Sequence, residues 1–134
     1  MTNPLFDGLL ATGRTTPDKC FAILPDGREF TYADVEAVSA RFANALVALG
    51  VEPGDRVAVQ ADKSIEALML YFGTVRAGGV FLPLNTAYTP TEIDYFLNDA
   101  KPRVFVCDPA KRDGLAATAE GAGARLETLG ARAA

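Results

Sequence analysis

Apolar positions along the chain follow two periods, and the alternation between them predicts the fold. Tyr32, Val35, Val38, Phe42, Ala45, Leu46 and Leu49 keep a three-and-four spacing as far as Gly50, the mark of a helix with one buried face. Thr31 stands at its start with Asp34 three residues on, a capping pair that satisfies amide donors at the positive end of the helix dipole. The spacing predicts a helix of about 19 residues, about 28 Å long, with Glu36, Arg41 and Asn44 on its wet side. Short apolar runs follow at Arg56 to Gln60 (RVAVQ), Val80 to Leu84 (VFLPL) and around Val104 (VFVC). Helix-length segments separate their centres. Strands alternating with helices at this interval predict a parallel sheet, because parallel neighbours need a crossover of a dozen or more residues.

The crossovers carry their own signals. Ser64 to Arg76 is apolar almost all round, through Ile65, Leu68, Met69, Leu70, Tyr71, Phe72 and Val75, so this helix is expected to need cover from partners outside so short a chain. Thr89-Pro90-Thr91-Glu92 opens the next helix with proline in its first turn, and Ile93, Phe96 and Leu97 are expected to pack inward. Asp108-Pro109 caps another that runs through Leu115, and Arg125-Leu126-Glu127 predicts a last edge strand. Ahead of the long helix, Asn3-Pro4 with Leu5, Phe6, Leu9 and Leu10 predicts a short amphipathic helix ending near Gly13. Cys20 to Leu24 and Glu29 to Thr31 flank Pro25-Asp26-Gly27, a turn signal that predicts a β-hairpin. The tail TLGARAA, Thr128 to Ala134, has no periodic pattern and no closing element; it reads as a place where a longer chain was cut.

Composition narrows the function. The 134 residues fit one globular, soluble domain, and the formal charge of −4 with scattered Lys and Arg offers no basic stripe for nucleic acid. No apolar run approaches the ~20 residues of a membrane span, and Met-Thr-Asn-Pro-Leu lacks the charged start and apolar core of a signal peptide. The expected address is cytoplasmic, with neither nucleic acid nor membrane as partner. Cys20 and Cys107 lie far apart in no metal-binding grouping and read as reduced, largely buried thiols. With no His at all, the commonest general base, the commonest metal ligand and any Ser-His-Asp arrangement are excluded.

In an open parallel sheet, ligands bind outside the carboxyl ends of the strands, where helix N-termini present amide hydrogens. Those ends are Asp62-Lys63-Ser64, Asn85-Thr86-Ala87-Tyr88 and Asp108 to Arg112. Lys63, Lys111 and Arg112 would bring positive charge to that edge, with Asn85 and Thr86 as neutral hydrogen-bonding groups, a combination suited to an anionic, phosphate-bearing ligand. The same residues also read as solvated first-turn positions and a satisfied turn. Glu92 and Asp94 sit two apart, so they do not face each other on a helix and make no acid/base couple. Tyr88, Tyr95 and Phe96 read as packing aromatics. Gly8 and Gly13 before Arg14-Thr15 imitate GxxxxGK[ST], but no strand precedes them and arginine replaces lysine.

Four stretches carry a family likeness: Arg28-Glu29-Phe30-Thr31-Tyr32; Gly54-Asp55-Arg56-Val57-Ala58-Val59; Val75-Arg76-Ala77-Gly78-Gly79-Val80-Phe81-Leu82-Pro83-Leu84-Asn85; and Pro90-Thr91-Glu92-Ile93. In this order and spacing, from about Leu5 to Glu127, the chain resembles the N-terminal section of the AMP-forming acyl-CoA synthetases of the adenylate-forming superfamily. Lys63 to Ala67, Leu84 to Thr89 and Cys107 to Gly114 are similar to malonyl-CoA synthetases. The resemblance implies an α/β fold with a partly parallel sheet and βαβ crossovers, residues 1–134 forming an incomplete N-terminal portion of an AMP-binding domain truncated before the phosphate loop. It implies an acid–thiol ligase using ATP, Mg²⁺ and coenzyme A: a carboxylate, malonate in this subgroup, attacks the α-phosphate of ATP to give an acyl-adenylate and pyrophosphate, and the thiol of coenzyme A then displaces AMP.

The family's phosphate loop, adenine and carboxylate pockets, hinge and catalytic lysine all follow this section. No catalytic residue can therefore be placed on the chain, which is expected to be inactive alone, to bind none of these cofactors tightly, and to work with the remainder of the same polypeptide. One binding role carries over. The loop after the Pro-Leu-Asn strand and the basic residues after the Val-Phe-Val strand approach the nucleotide end of coenzyme A in relatives, corresponding here to Asn85, Thr86, Ala87, Lys111 and Arg112. Some relatives have arginine where Ala87 stands, which shifts the phosphate contact towards Lys111 and Arg112. A reading from a different class is a free-standing flavodoxin-like module that binds a small anion, or a partner, at the strand-end edge without catalysis.

Overall fold

The computed structural model describes residues 4–130, except for the side chains of Leu9 and Thr12. Asn3, the side chain of Leu9 and residues 131–134 of the expected tail lie outside the described residues. Helix α1 (Pro4–Thr15) leads to the antiparallel hairpin of β1 (Cys20–Ile23) and β2 (Glu29–Thr31). Gly27, at φ +88°, supplies the left-handed residue of the connecting turn, as glycine can do without a Cβ clash. Helix α2 (Tyr32–Ala48) starts from the expected box: the Asp34 amide donates to Thr31 Oγ1 at 3.1 Å and the Thr31 amide to Asp34 Oδ2 at 2.9 Å. It is 17 residues long, slightly shorter than the spacing predicts, because the chain turns left-handed at Gly50.

Two expectations change in this part of the chain. Helix α1 runs past Gly13 to Thr15, and Gly13 lies directly under the Tyr32 ring; the glycine pattern there is helical and forms no phosphate loop. Glu36 is only partly on the wet side of α2, keeping 40% of its side-chain exposure. It forms ion pairs of 3.5 Å with both Arg14 and Arg76. Arg76 also donates to the Glu36 carbonyl (2.9 Å) and to Ser39 Oγ (3.1 Å), with its guanidinium 4.5 Å from the Phe6 ring centroid. The arginine thereby staples three helices together. Arg41 and Asn44 are exposed as expected.

Strands β3 (Arg56–Gln60), β4 (Val80–Pro83), β5 (Val104–Cys107) and β6 (Arg125–Thr128) form one parallel sheet in the order β4-β3-β5-β6. The expected last edge strand is thus present and parallel. Between the strands lie α3 (Ile65–Arg76), α4 (Pro90–Ala100) and α5 (Arg112–Gly121), the last preceded by a 3₁₀ turn at Pro109–Lys111. Strand residues alternate faces. Val57, Val59, Val104 and Val106 pack with Leu46 of α2 and Leu70 of α3, while Ala58, Phe105 and Cys107 pack with Ile93 and Leu97 of α4 and Leu115 and Ala119 of α5. Being covered on both faces explains the unbroken apolar runs of β3 and β5.

A third cluster joins α1, the hairpin, α2 and α3 through Phe6, Leu10, Val35, Met69 and Phe72. It corrects the expectation that α3 lacks cover: Phe72 meets Phe6 edge-on at 6.0 Å, and Tyr71 stacks on Phe81 at 4.9 Å. Helix α2 closes over the remaining side because Gly73 leaves room, a Cβ there lying 2.6 Å from Phe42 Cβ.

Candidate functional site

All four sheet strands point the same way, so the loops after β3, β4 and β5 share one edge. The connection from β3 leads to β4 on one side, whereas β5 leads to β6 on the other. Between β3 and β5 the topology therefore switches direction, the place where an open α/β sheet offers a crevice. Gln60 and Cys107 face each other across it as the last ladder pair.

The loop from β4 to α4 turns over this crevice and is internally braced. Asn85 Oδ1 accepts from the Ala87 amide at 2.8 Å, and the Asn85 carbonyl from the Tyr88 amide at 3.1 Å. Thr89 caps α4, with its hydroxyl accepting from the Glu92 amide (3.3 Å) and Glu92 Oε1 accepting from the Thr89 amide (3.1 Å). That bond accounts for Glu92, which belongs to the helix start; Asp94 accepts from the Asn98 amide group. Tyr88 stacks on Phe96 at 4.9 Å, so these two are packing aromatics as expected, while Tyr95 is exposed and touches Phe96 edge-on.

Of the residues expected at an anion site, the structure brings together Asn85, Thr86, Ala87 and Lys111. Lys111 Nζ donates to the Thr86 carbonyl at 3.0 Å, strapping the loop to the turn after β5. Arg112, next along, is exposed at the start of α5. Both cations act on the Cys107 thiol: burial is the largest influence and pushes it up, aided by the charge of Asp108 and opposed by those of Arg112 and Lys111. Cys107 is buried, whereas Cys20 is only half-buried, with its Sγ 3.4 Å from the Ala22 carbonyl. Lys63 is exposed beyond β3, and Ser64 is engaged as the α3 cap, accepting from the Ala67 amide at 3.0 Å. Asp108 caps the 3₁₀ turn through the Ala110 amide at 2.8 Å. The starts of α3, α4 and the 3₁₀ turn thus each follow a strand end on the same edge, where the one bond joining two of these segments is Lys111 to Thr86, and among the described residues no nucleophile and base are in contact there.

Gln60 escapes the sequence reading. It has no exposed surface, and its Nε2 donates to the carbonyls of Asn85 (2.9 Å) and Tyr88 (3.5 Å). The available signal was one polar residue ending an apolar run at the carboxyl end of a strand. The carboxylates held below their ordinary range lie elsewhere. Asp26, lowered first by the Arg28 amide, is in the hairpin turn; Asp55, lowered first by the Glu52 amide, is at the opposite edge of the sheet. A concavity of about 500 Å³ lies between α1 and α2, and one of about 480 Å³ runs along α2 to the start of α3 at Ile65 and Glu66 and to Gly130 after β6; neither is lined by residues of the β4–α4 loop. Among the described residues no group of three or more Cys, Asp or Glu could hold a metal ion.

Crystal structures of MatB from Rhodopseudomonas palustris, apo and ATP-bound, superpose with a TM-score of 0.91 at 53% identity, over 97% of this chain and 26% of theirs. Feruloyl-CoA synthase of Amycolatopsis is 38% identical over 100 residues, covering 75% of this chain and 20% of that protein. The long-chain-fatty-acid–CoA ligase FadD13 of Mycobacterium tuberculosis is 37% identical over 76 residues, covering 57% of this chain and 15% of that protein. The chain thus spans about a quarter or less of these relatives. The AMP-binding enzyme family matches residues 9–131, nearly the whole described α/β unit, and the chain belongs to that family.

Proposed function

We propose that residues 1–134 are the N-terminal portion of the AMP-binding domain of an ATP-dependent acid–CoA ligase, ending before the phosphate loop, and that the acid is malonate. The observation that carries this reading is the 53% identity to MatB, sustained over 97% of the chain; the malonyl-CoA synthetase-like stretches at 63–67, 84–89 and 107–114 support the acid. The reaction is the joining of a carboxylate to coenzyme A through an acyl-adenylate. The ATP-bound neighbour supports the nucleotide. Among the described residues no group of three or more carboxylates or thiols is gathered to hold a metal ion, and we assign the metal, the phosphates and the carboxylate to the remainder of the polypeptide. Alone, the chain is proposed to be inactive and to bind none of these groups tightly. No helix among the described residues is long and apolar enough to cross a membrane, and we place the ligase in the cytoplasm.

The part this chain plays lies at the loop edge. Asn85, Thr86 and Ala87 form a wall for the nucleotide end of coenzyme A, and Arg112 supplies the charge that meets its phosphates. Lys111 acts in two ways, holding Thr86 through the main chain and adding positive potential. The Arg112 guanidinium is the freer of the two, because Lys111 is already bonded to a carbonyl. In the ligase that carries this segment, Arg112→Ala should raise KM for coenzyme A about tenfold, the size of one charge-assisted contact. Adenylate formation, read by pyrophosphate exchange, should keep its rate. An unchanged KM for coenzyme A in both Arg112→Ala and the Lys111→Ala, Arg112→Ala double variant would remove the site.

A further inference from the structure

Gln60 stands at the switch point, beneath the loop that crosses from edge strand β4 to α4. Its side chain is fully buried. One amide nitrogen reaches two carbonyls of that loop, Asn85 at 2.9 Å and Tyr88 at 3.5 Å, while the amide oxygen is buried with no partner. The opposite amide orientation would set that oxygen against two carbonyl oxygens, which favours the observed one. For packing alone the arrangement is poor, since methionine or leucine would fill the space without stranding an acceptor. What glutamine adds is a pair of donors aimed at both ends of one short loop. The second tether, Lys111 Nζ to the Thr86 carbonyl at 3.0 Å, is half-exposed and comes from the turn after β5. The loop is thus held from below by a buried group and from the side by a solvated one.

We infer that Gln60 is a positioning residue: acting through the main chain of Asn85 and Tyr88, it fixes the loop over the switch point. What the loop then presents to coenzyme A rests on the function proposed above. In an apolar pocket the two amide bonds are made without competition from water, so their loss is not replaced.

Hydrogen exchange tests the role in the ligase that carries this segment. With Gln60→Met, which conserves length and removes the donors, the Ala87 and Tyr88 amides should exchange at least about tenfold faster, while the β3–β5 ladder amides keep their protection. Unchanged exchange at 87 and 88 overturns the inference. In the same variant KM for coenzyme A should rise while KM for ATP holds. A loosened loop with an unaltered KM for coenzyme A keeps the tether and rejects the coenzyme A reading, so the two can fail separately. Should Gln60→Met unfold the protein, Gln60→Glu decides. Its carboxyl donates to the loop when protonated and repels both carbonyls when ionised, so loop protection corrected for intrinsic exchange should fall as pH rises. Protection that does not vary with pH in that variant overturns the role.

Discussion

Cys107 is where burial and charge compete most plainly. The thiol closes β5 with no exposed surface, and burial pushes it up against the pull of Arg112 and Lys111. The thiolate is the reactive form, so a thiol reagent should label native Cys20 readily and Cys107 only on unfolding; peptide mapping after a short pulse reads the difference. The raised folded value also sets a sign. Below the unfolded thiol value both states hold the proton; as pH climbs past it, the unfolded chain ionises first and stability falls. Cys107→Ala should flatten that alkaline limb in denaturant melts across pH. Asp55 works in the other direction. The Glu52 amide at 2.9 Å and Arg103 at 3.2 Å hold its carboxyl low. Its contribution is present above the ordinary carboxylate value and lost as acid protonates it in the fold, so Asp55→Asn should flatten the acid limb. The burial of Cys107 was legible from its place in VFVC. The pairing of Glu36 was not, because its partners Arg14 and Arg76 come from other helices, and one helix's spacing says nothing about what a neighbour brings.

At the scale of elements, local signals were read well wherever their cause is local. The Thr31 and Thr89 capping boxes, the hairpin turn at Gly27 and the alternation of strand and helix each depend on a few adjacent residues. Crossings between elements were less legible. Nothing near Gly73 in sequence announces that α2 lies against it, yet a Cβ there would sit 2.6 Å from Phe42 Cβ and 3.0 Å from the Ala43 amide nitrogen. Backbone cannot yield as a side-chain tip can, so Gly73→Ala should force α2 and α3 apart and cost about 1–3 kcal/mol, against a helix-propensity gain of about 1 kcal/mol at most. Equilibrium urea unfolding measures the net, and a stabilised variant would contradict the close crossing. The candidate edge divides in the same way. Its position followed from strand order, whereas the Gln60 and Lys111 tethers each span 25 residues and became visible only with the chain folded.

Across the whole molecule, apolar cover is uneven. Helices α4 and α5 close one face of the sheet, but on the other face α2 and α3 leave a groove beside β5 and β6, lined by Phe42, Ala45, Leu49, Val104, Val106 and Leu129. It adjoins the concavity of about 480 Å³ along α2 that includes Val38 and Met69. The open apolar surface thus lies along α2 and the β6 side of the sheet, whereas α3, expected to lack cover, is covered within the chain. Apolar surface gathered in one groove has a measurable consequence, because an amphiphilic dye binds where such side chains remain in water. The 134-residue chain should therefore enhance the fluorescence of an anilinonaphthalene sulfonate dye while showing a native, cooperative melt. Ala45→Glu, at an exposed helix position shared by both concavities, should abolish most of that signal with a change in stability below about 0.5 kcal/mol, as for other surface substitutions. The melt separates this groove from general looseness: a molten chain would bind dye without a cooperative transition, and the charge at position 45 would then make little difference. Dye binding that is cooperative in origin yet insensitive to Ala45→Glu would place the open apolar surface elsewhere and remove the groove as the face on which the rest of a ligase could pack.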